Sequence, residues 1–174
     1  MGDRPLPSAM GRKHLLTDDF QALDEDWTLH SSAKHARSSF QNEGKLGEVY
    51  TPANTCAYAQ RQLPTGTRLV QCSVNAGTDR SASWGPGLTL VWPERTIKFY
   101  IRSGEGRFGI FDGQGERLTG DVDASKTYHL RIRIAGHLIH CESSLDTESW
   151  TPVHSIETTA KLGNPITVRL GKTS

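Results

Sequence analysis

The chain has 174 residues, enough for one domain with a real core and short for two. Its 17 glycines and 8 prolines punctuate the sequence at a density that long helices tolerate badly and that many short strands joined by turns require, which disfavours an all-α fold. Lys and Arg number 20 against 19 Asp and Glu, a net charge of +1, so no global field points to nucleic acid or an anionic membrane surface as a partner.

Residues 1–14 hold Pro5, Pro7 and two glycines and show no period, which predicts a flexible arm ahead of a single domain at 15–174. The start lacks the apolar stretch of a signal peptide, and no run of about 18 apolar residues exists, so the chain as written is expected to be soluble and cytoplasmic. The acidic segment 20–27 allows a short helical turn. From there strands dominate. They are expected at 44–50, at 55–63 and 67–75 as a hairpin around Pro64, Thr65 and Gly66, and at 87–92 and 96–102 as a second hairpin. Further strands are expected at 108–111, 128–134, 138–143, 150–157 and 166–170. About ten short strands with no crossover helix between them mean antiparallel pairing in a two-sheet sandwich. Cys56, Cys72 and Cys141 are an odd number with no CxxC pair, which argues for small core fillers rather than a disulfide framework or a zinc site.

Two hairpins define faces. Tyr128, Leu130, Ile132 and Ile134 alternate with His129, Arg131 and Arg133, so one side of that strand is core and the other polar. A two-residue turn at Ala135 and Gly136 would set Ile132 opposite Ile139, Arg131 opposite His140 and His129 opposite Glu142. In the other hairpin Leu88, Leu90, Ile97, Phe99 and Ile101 point inward, and Lys98, Tyr100 and Arg102 outward. Periodicity does not tell whether the two outward faces share a sheet.

These residues resemble the concanavalin A-like lectin and glucanase jelly rolls, in particular small bacterial laminin-G-like modules. The carrying pieces are Leu15 to Phe20 with Trp27, the run from Trp84 to Trp92, Phe99 to Arg102 with Arg107 to Ile110, His129 to Ile134, and the turn from Ser143 to Trp150. Thr147 stands where that family's Ser-x-Asp-Gly-x-x-Trp turn usually has glycine. The resemblance implies an antiparallel β-sandwich (a jelly roll) and carbohydrate binding; one such fold hosts lectins, glycosidases, lyases and adhesion modules. It also makes calcium a candidate ion, for which Asp121 and Asp123 supply hard oxygen donors when not simply solvated.

Other constellations are weak. Gly104 to Gly109 matches G-x-G-x-x-G, but a strand rather than a helix follows it, so a hairpin turn with a bulge is expected instead of a dinucleotide site. The paired acids of the fold's glucanases, Glu-x-Asp-x-x-Glu or Glu-x-Asp-x-Glu on one strand, are absent. A polysaccharide lyase could draw on Arg131, His129, His140 and Tyr100, yet the Tyr-rich C-terminal motif of such lyases is missing. His129 and His140 could meet a metal only across strands, without a third ligand.

The expectation is a non-catalytic, lectin-like module for an oligosaccharide or polysaccharide, with no organic cofactor and no catalytic residues. Its ligand-binding residues are Trp84, Lys98, Tyr100, Arg102, His129, Arg131, Arg133, His140 and Glu142. Their excess of guanidinium and ammonium groups favours uronate or sulfated glycans over neutral ones, against the alternative of a merely solvated cationic face. The rival functions are a glycoside hydrolase or lyase, and a laminin-G-like protein-interaction domain.

Overall fold

A computed structural model describes residues 25–32, 56–80 and 85–173, together with the backbone of 37–39 and 48–50. The expected arm at 1–14, the first part of the acidic turn and Trp84 lie outside the described residues. Residues 25 and 26 form a turn, and every regular element described is a strand.

The strands are β1 (Thr28–Ser31), β2 (Arg37–Ser39), β3 (Glu48–Tyr50), β4 (Ala57–Gln62), β5 (Leu69–Asn75), β6 (Pro86–Val91) and β7 (Thr96–Arg102). They continue with β8 (Arg107–Phe111), β9 (Glu116–Thr119), β10 (Thr127–Ala135), β11 (Leu138–Ser144), β12 (Thr151–Glu157) and β13 (Thr167–Lys172). A seven-stranded sheet runs β1-β4-β13-β6-β7-β8-β9, a four-stranded sheet β12-β11-β10-β5, and β2 pairs with β3. All pairings are antiparallel, so the chain is an all-β, two-sheet antiparallel sandwich, as its strand spacing and turn density require.

Period-two alternation builds the core. Leu88, Leu90, Ile97, Phe99, Ile101 and Ile110 of the larger sheet meet Leu130, Ile132, Ile139 and Cys141 of the smaller one, all essentially without solvent contact. Each such side chain is worth about 1.5–3 kcal/mol of burial. The inward assignments for the β6–β7 and β10–β11 hairpins hold.

Three local expectations do not. The Pro64, Thr65 and Gly66 turn does not close a hairpin: β4 belongs to the larger sheet and β5 to the smaller, so the chain changes sheets there. A turn signal specifies a reversal, while pairing depends on which edge the core leaves open. The β10–β11 turn is centred on Gly136 and His137, one residue later than expected, with Gly136 at φ 65° as the first position of a type II′ turn favours. The register therefore slides by two: Ile132 faces Cys141, Arg131 faces Glu142, Arg133 faces His140 and His129 faces Ser144. An even shift preserves the faces, which is why the apolar pattern could not detect it. Finally, Ser103 to Gly106 form the four-residue β7–β8 loop, and the strand register that leads into it is continuous, a hairpin turn without the expected bulge.

Candidate functional site

The residues expected to form one binding face fall on two. Lys98, Tyr100 and Arg102 project from β7 in the larger sheet, whereas His129, Arg131, Arg133, His140 and Glu142 project from β10 and β11 in the smaller. The shared core lies between them, so one small ligand cannot contact both sets. Adjacent strands of similar pattern do not announce their sheet, and this partition was not legible in the sequence.

On the smaller sheet the polar groups satisfy one another. Arg131 Nε donates to Glu142 Oε2 at 2.6 Å, Arg133 reaches Glu142 Oε1 at 3.4 Å, and the Arg131 guanidinium lies 4.0 Å from the centre of the Trp150 ring. Arg131 and Glu142 are each only 7% exposed. Burial pushes the Glu142 carboxyl up, but the hydrogen bonds and charges of Arg131 and Arg133 outweigh it, and its pKa is lowered overall. His129 Nδ1 pairs with Ser73 Oγ at 2.8 Å, and His140 Nδ1 with Ser155 Oγ at 2.9 Å. Arg131, expected as a ligand fork, thus has its Nε engaged by Glu142 and its flat face by Trp150. Trp150 itself is half-buried above the sheet, unlike Trp27 and Trp92, which are core.

The outer face of the larger sheet is different. Its register sets Gln60, Arg169, Thr89, Lys98, Phe111 and Glu116 in one row across β4, β13, β6, β7, β8 and β9. The neighbouring row reads His30, Tyr58, Gly171, Gly87, Tyr100, Gly109 and Leu118. Glycine is required in that second row, because a Cβ on Gly109 would come within 2.3 Å of the Tyr100 ring and one on Gly87 within 2.5 Å of Tyr100 Cα. Tyr100 thus lies flat along the sheet, and its hydroxyl donates to Glu116, which also takes the Arg102 guanidinium. Arg102 reaches Glu105 as well, at 2.8 Å. At the other end His30 stacks on Tyr58, ring centroids 5.0 Å apart.

Two cations of the first row have no acid partner among the described residues. Arg169 donates from Nε to Gln60 Oε1 at 2.7 Å and lies over Tyr58, while Lys98 lies 5.3 Å from the Phe111 ring centre; neither forms an ion pair with a described carboxylate. They flank Thr89, which is 2% exposed and bonded to Thr173. Burial and then Arg169 lower the Lys98 pKa, opposed by Cys56 and Glu116. Tyr58, Gln60 and Arg169 were missed from sequence, although Ala57 and Ala59, like Val168 and Leu170, point inward and so mark the residues between them as outward. What alternation could not supply was the adjacency of β4, β13 and β6.

The calcium candidates do not assemble a site. Asp123 Oδ1 accepts the Ser125 N–H at 3.0 Å and the Ser125 hydroxyl at 2.6 Å, and these bonds lower its pKa. Lys126 sits 3.7 Å from its other oxygen. Asp123 is thus the cap of its own turn, and among the described residues no three His, Cys, Asp or Glu are grouped to hold a metal.

No protein-family model matches the chain, and no curated protein matches it in sequence. Among solved structures it is similar to the exoplasmic/lumenal domain of VIP36 in its metal-free form, at TM-score 0.47 and 12% identity over 90% of this chain and 83% of that one. The Ca2+/Man2-bound form of the same domain matches at TM-score 0.47 and 11% identity over 90% and 80%. A functionally unknown protein from Saccharomyces cerevisiae matches at 0.46 and 11% over 85% and 87%. At this level of likeness, what the chain binds has to be argued from its own residues.

Proposed function

We propose that the chain is a non-catalytic carbohydrate-binding module, and that it binds acidic glycans on the outer face of the seven-stranded sheet. The observation that carries this reading is the pair Lys98 and Arg169, partly buried, flanking one threonine and without a described carboxylate partner. A guanidinium and an ammonium held this way match uronate or sulfate oxygens, and water competes less well where the groups are half-desolvated. Gln60 in the same row offers an amide already oriented by Arg169. Glu116 is the outward carboxylate described on these strands, and it is engaged by Tyr100 and Arg102. Glycoside hydrolysis needs two carboxyl groups flanking the bond, which supports binding rather than cleavage.

Calorimetric titration of an acidic and a neutral oligosaccharide, each at low and high salt, tests the proposal. Tighter binding of the acidic sugar, weakened by salt and reduced about tenfold by Lys98→Ala and by Arg169→Ala but not by Arg133→Ala, is the expected result. Equal binding of both sugars, indifferent to salt and to these substitutions, overturns it. Release of unsaturated uronate would make the protein a lyase instead, and silence toward all glycans with a stable protein partner would favour the interaction-module reading.

A further inference from the structure

Between β9, the edge of the larger sheet, and β12, the edge of the smaller, an open cleft of about 520 Å³ enters the sandwich from the side. A space of a few hundred cubic ångströms is the ordinary size of a small-molecule site. Phe108 and Tyr128 meet edge to face in its lining, ring centroids 5.4 Å apart with planes at 89°, and Leu145, Pro152 and Val153 add apolar surface. The charged groups of the lining are all of one sign. Asp121 comes from the loop after β9 and Asp146 from the turn between β11 and β12, so each layer brings one carboxylate; among the described residues no lysine, arginine or histidine lines the cleft.

Both carboxylates are held in place by bonds that leave their charge unmatched. The Ser149 and Glu148 N–H groups donate to Asp146 Oδ1 at 2.8 and 2.9 Å, and the Ser144 hydroxyl does so at 2.9 Å. These bonds fix the group and lower its pKa, so it stays ionised. The loop that carries Asp121 is pinned on both sides of it. Gly120, at φ 66°, sits against Phe108, where a Cβ would come within 3.0 Å of the ring. The Val122 N–H donates to Gly106 O at 2.9 Å, and the Asp123 N–H to the Tyr128 hydroxyl at 2.9 Å. Neither Asp121 nor Asp146 forms an ion pair with a described cation, whereas the neighbouring Asp123 has Lys126 at 3.7 Å. A cleft lined by one sign of charge between low-dielectric walls concentrates its field on whatever ion enters.

We infer that this cleft binds an aliphatic ammonium group, of a free alkylamine or of a lysine side chain, with the ammonium between Asp121 and Asp146 and the carbon chain along the apolar lining. Ammonium donors match carboxylate oxygens that lack a counter-charge, and the methylene groups leave water against Leu145 and Val153. An anion meets two like charges there, and a neutral chain leaves both unanswered. The site is separate from the Lys98 and Arg169 face and takes the opposite ligand charge, so neither reading depends on the other.

Amide chemical shifts of the labelled full chain, titrated with n-butylamine, Nα-acetyl-lysine methylamide, n-butanol and butyrate, test this. The two ammonium probes are expected to shift the amides of 119–122, 143–146 and 149–153 with millimolar affinity that weakens as salt is added, and the alcohol and the carboxylate to leave them still. Asp121→Asn, which keeps the shape and removes one charge, should weaken both ammonium probes about fivefold, and Asp121→Lys should abolish their binding while the amides of the remaining strands stay as in the parent. Tighter binding of the lysine derivative than of the free amine makes a protein segment the source of the group, and the reverse order a small amine; either supports the site. Butanol shifting these amides as strongly as butylamine, or ammonium binding that survives both Asp121 variants unchanged, overturns the inference. Binding at the other face reads out on amides of β4, β6, β7 and β13, so failure of either site is seen independently in the same spectra.

Discussion

Arg131 and Glu142 face each other directly across β10 and β11, joined at 2.6 Å, with the indole of Trp150 closing over the guanidinium. A charge pair this enclosed is expensive to halve. Glu142→Gln is expected to destabilise the fold by about 3 kcal/mol, since it leaves the enclosed Arg131 charge without its carboxylate; Arg131→Ala, which leaves Glu142 its contact with Arg133, and replacement of both by apolar residues should each cost less. Urea denaturation of the singles and the double checks this. Single variants within about 0.5 kcal/mol of the parent would show that water reaches the pair.

The same pair sets an acid response. Glu142 has a pKa below its ordinary 4.5 in the folded protein, so the unfolded chain takes up a proton first as pH falls. Its contribution to stability is complete above about pH 5 to 6 and is lost as the pH drops through the lowered folded value. The stability gap between the parent and Glu142→Gln should therefore be constant near neutrality and close progressively below pH 4.5. A gap that widens on acidification would contradict this assignment.

Ile132 is fully enclosed between Val70 and Cys141, while Arg133, one residue on, is half-exposed. Ile132→Asp is expected to prevent folding, at a cost of about 3 kcal/mol or more for a buried unpaired charge, and Arg133→Asp to leave a folded protein. Circular dichroism of the two purified variants decides the matter, and the inverse outcome would turn the strand over.

Thr147 has φ 67°, a left-handed conformation in which a β-branched residue is strained, within the turn that carries Trp150. Thr147→Gly should raise stability by up to about 1 kcal/mol, the relief of strain exceeding glycine's extra chain entropy. A thermal melt that falls instead would mean the Thr147 side chain contributes more than its backbone costs.

The three thiols are free, and burial pushes Cys72 and Cys141 up to about 12. Cys72 pairs with Leu130 and Cys141 with Ile132 on opposite sides of β10, two strands apart and too distant for a disulfide. Labelling at pH 8 should leave both unmodified in native protein and modify them at once in denaturant.

Alternation within a strand was readable from the amino acids alone, because Leu88 to Ile101 and Tyr128 to Ile134 each expose only one apolar side. Most strands followed from the same signal, but Thr28–Ser31, Arg37–Ser39 and Glu116–Thr119 did not, since each is a run of three or four residues too short to show a period. The candidate site was half legible. Lys98 could be placed outward, but its companion Arg169 is brought near by β13 and β6, 71 residues apart in number, and nothing local encodes that neighbour relation. Arg131 was expected opposite His140; the true register instead sets Glu142 opposite it, where Glu142 accepts from its Nε.

The position of β13 bears on how the chain acquires its shape. This strand, Thr167–Lys172, lies inside the larger sheet with β4 on one side and β6 on the other, and its Arg169 bonds to Gln60, 109 residues earlier. Until it arrives, β1 and β4 have no route to the hairpins from β6 onward, so two of that sheet's seven strands wait on the last strand described. A chain emerging from a ribosome must hold the edge of β4 that faces β13 unclaimed through most of its synthesis, and closing so long a loop is slow, on the order of milliseconds to seconds. Sequences that delay or weaken β13 should therefore reveal themselves first as aggregation during expression, before any loss of stability is measurable in the finished protein.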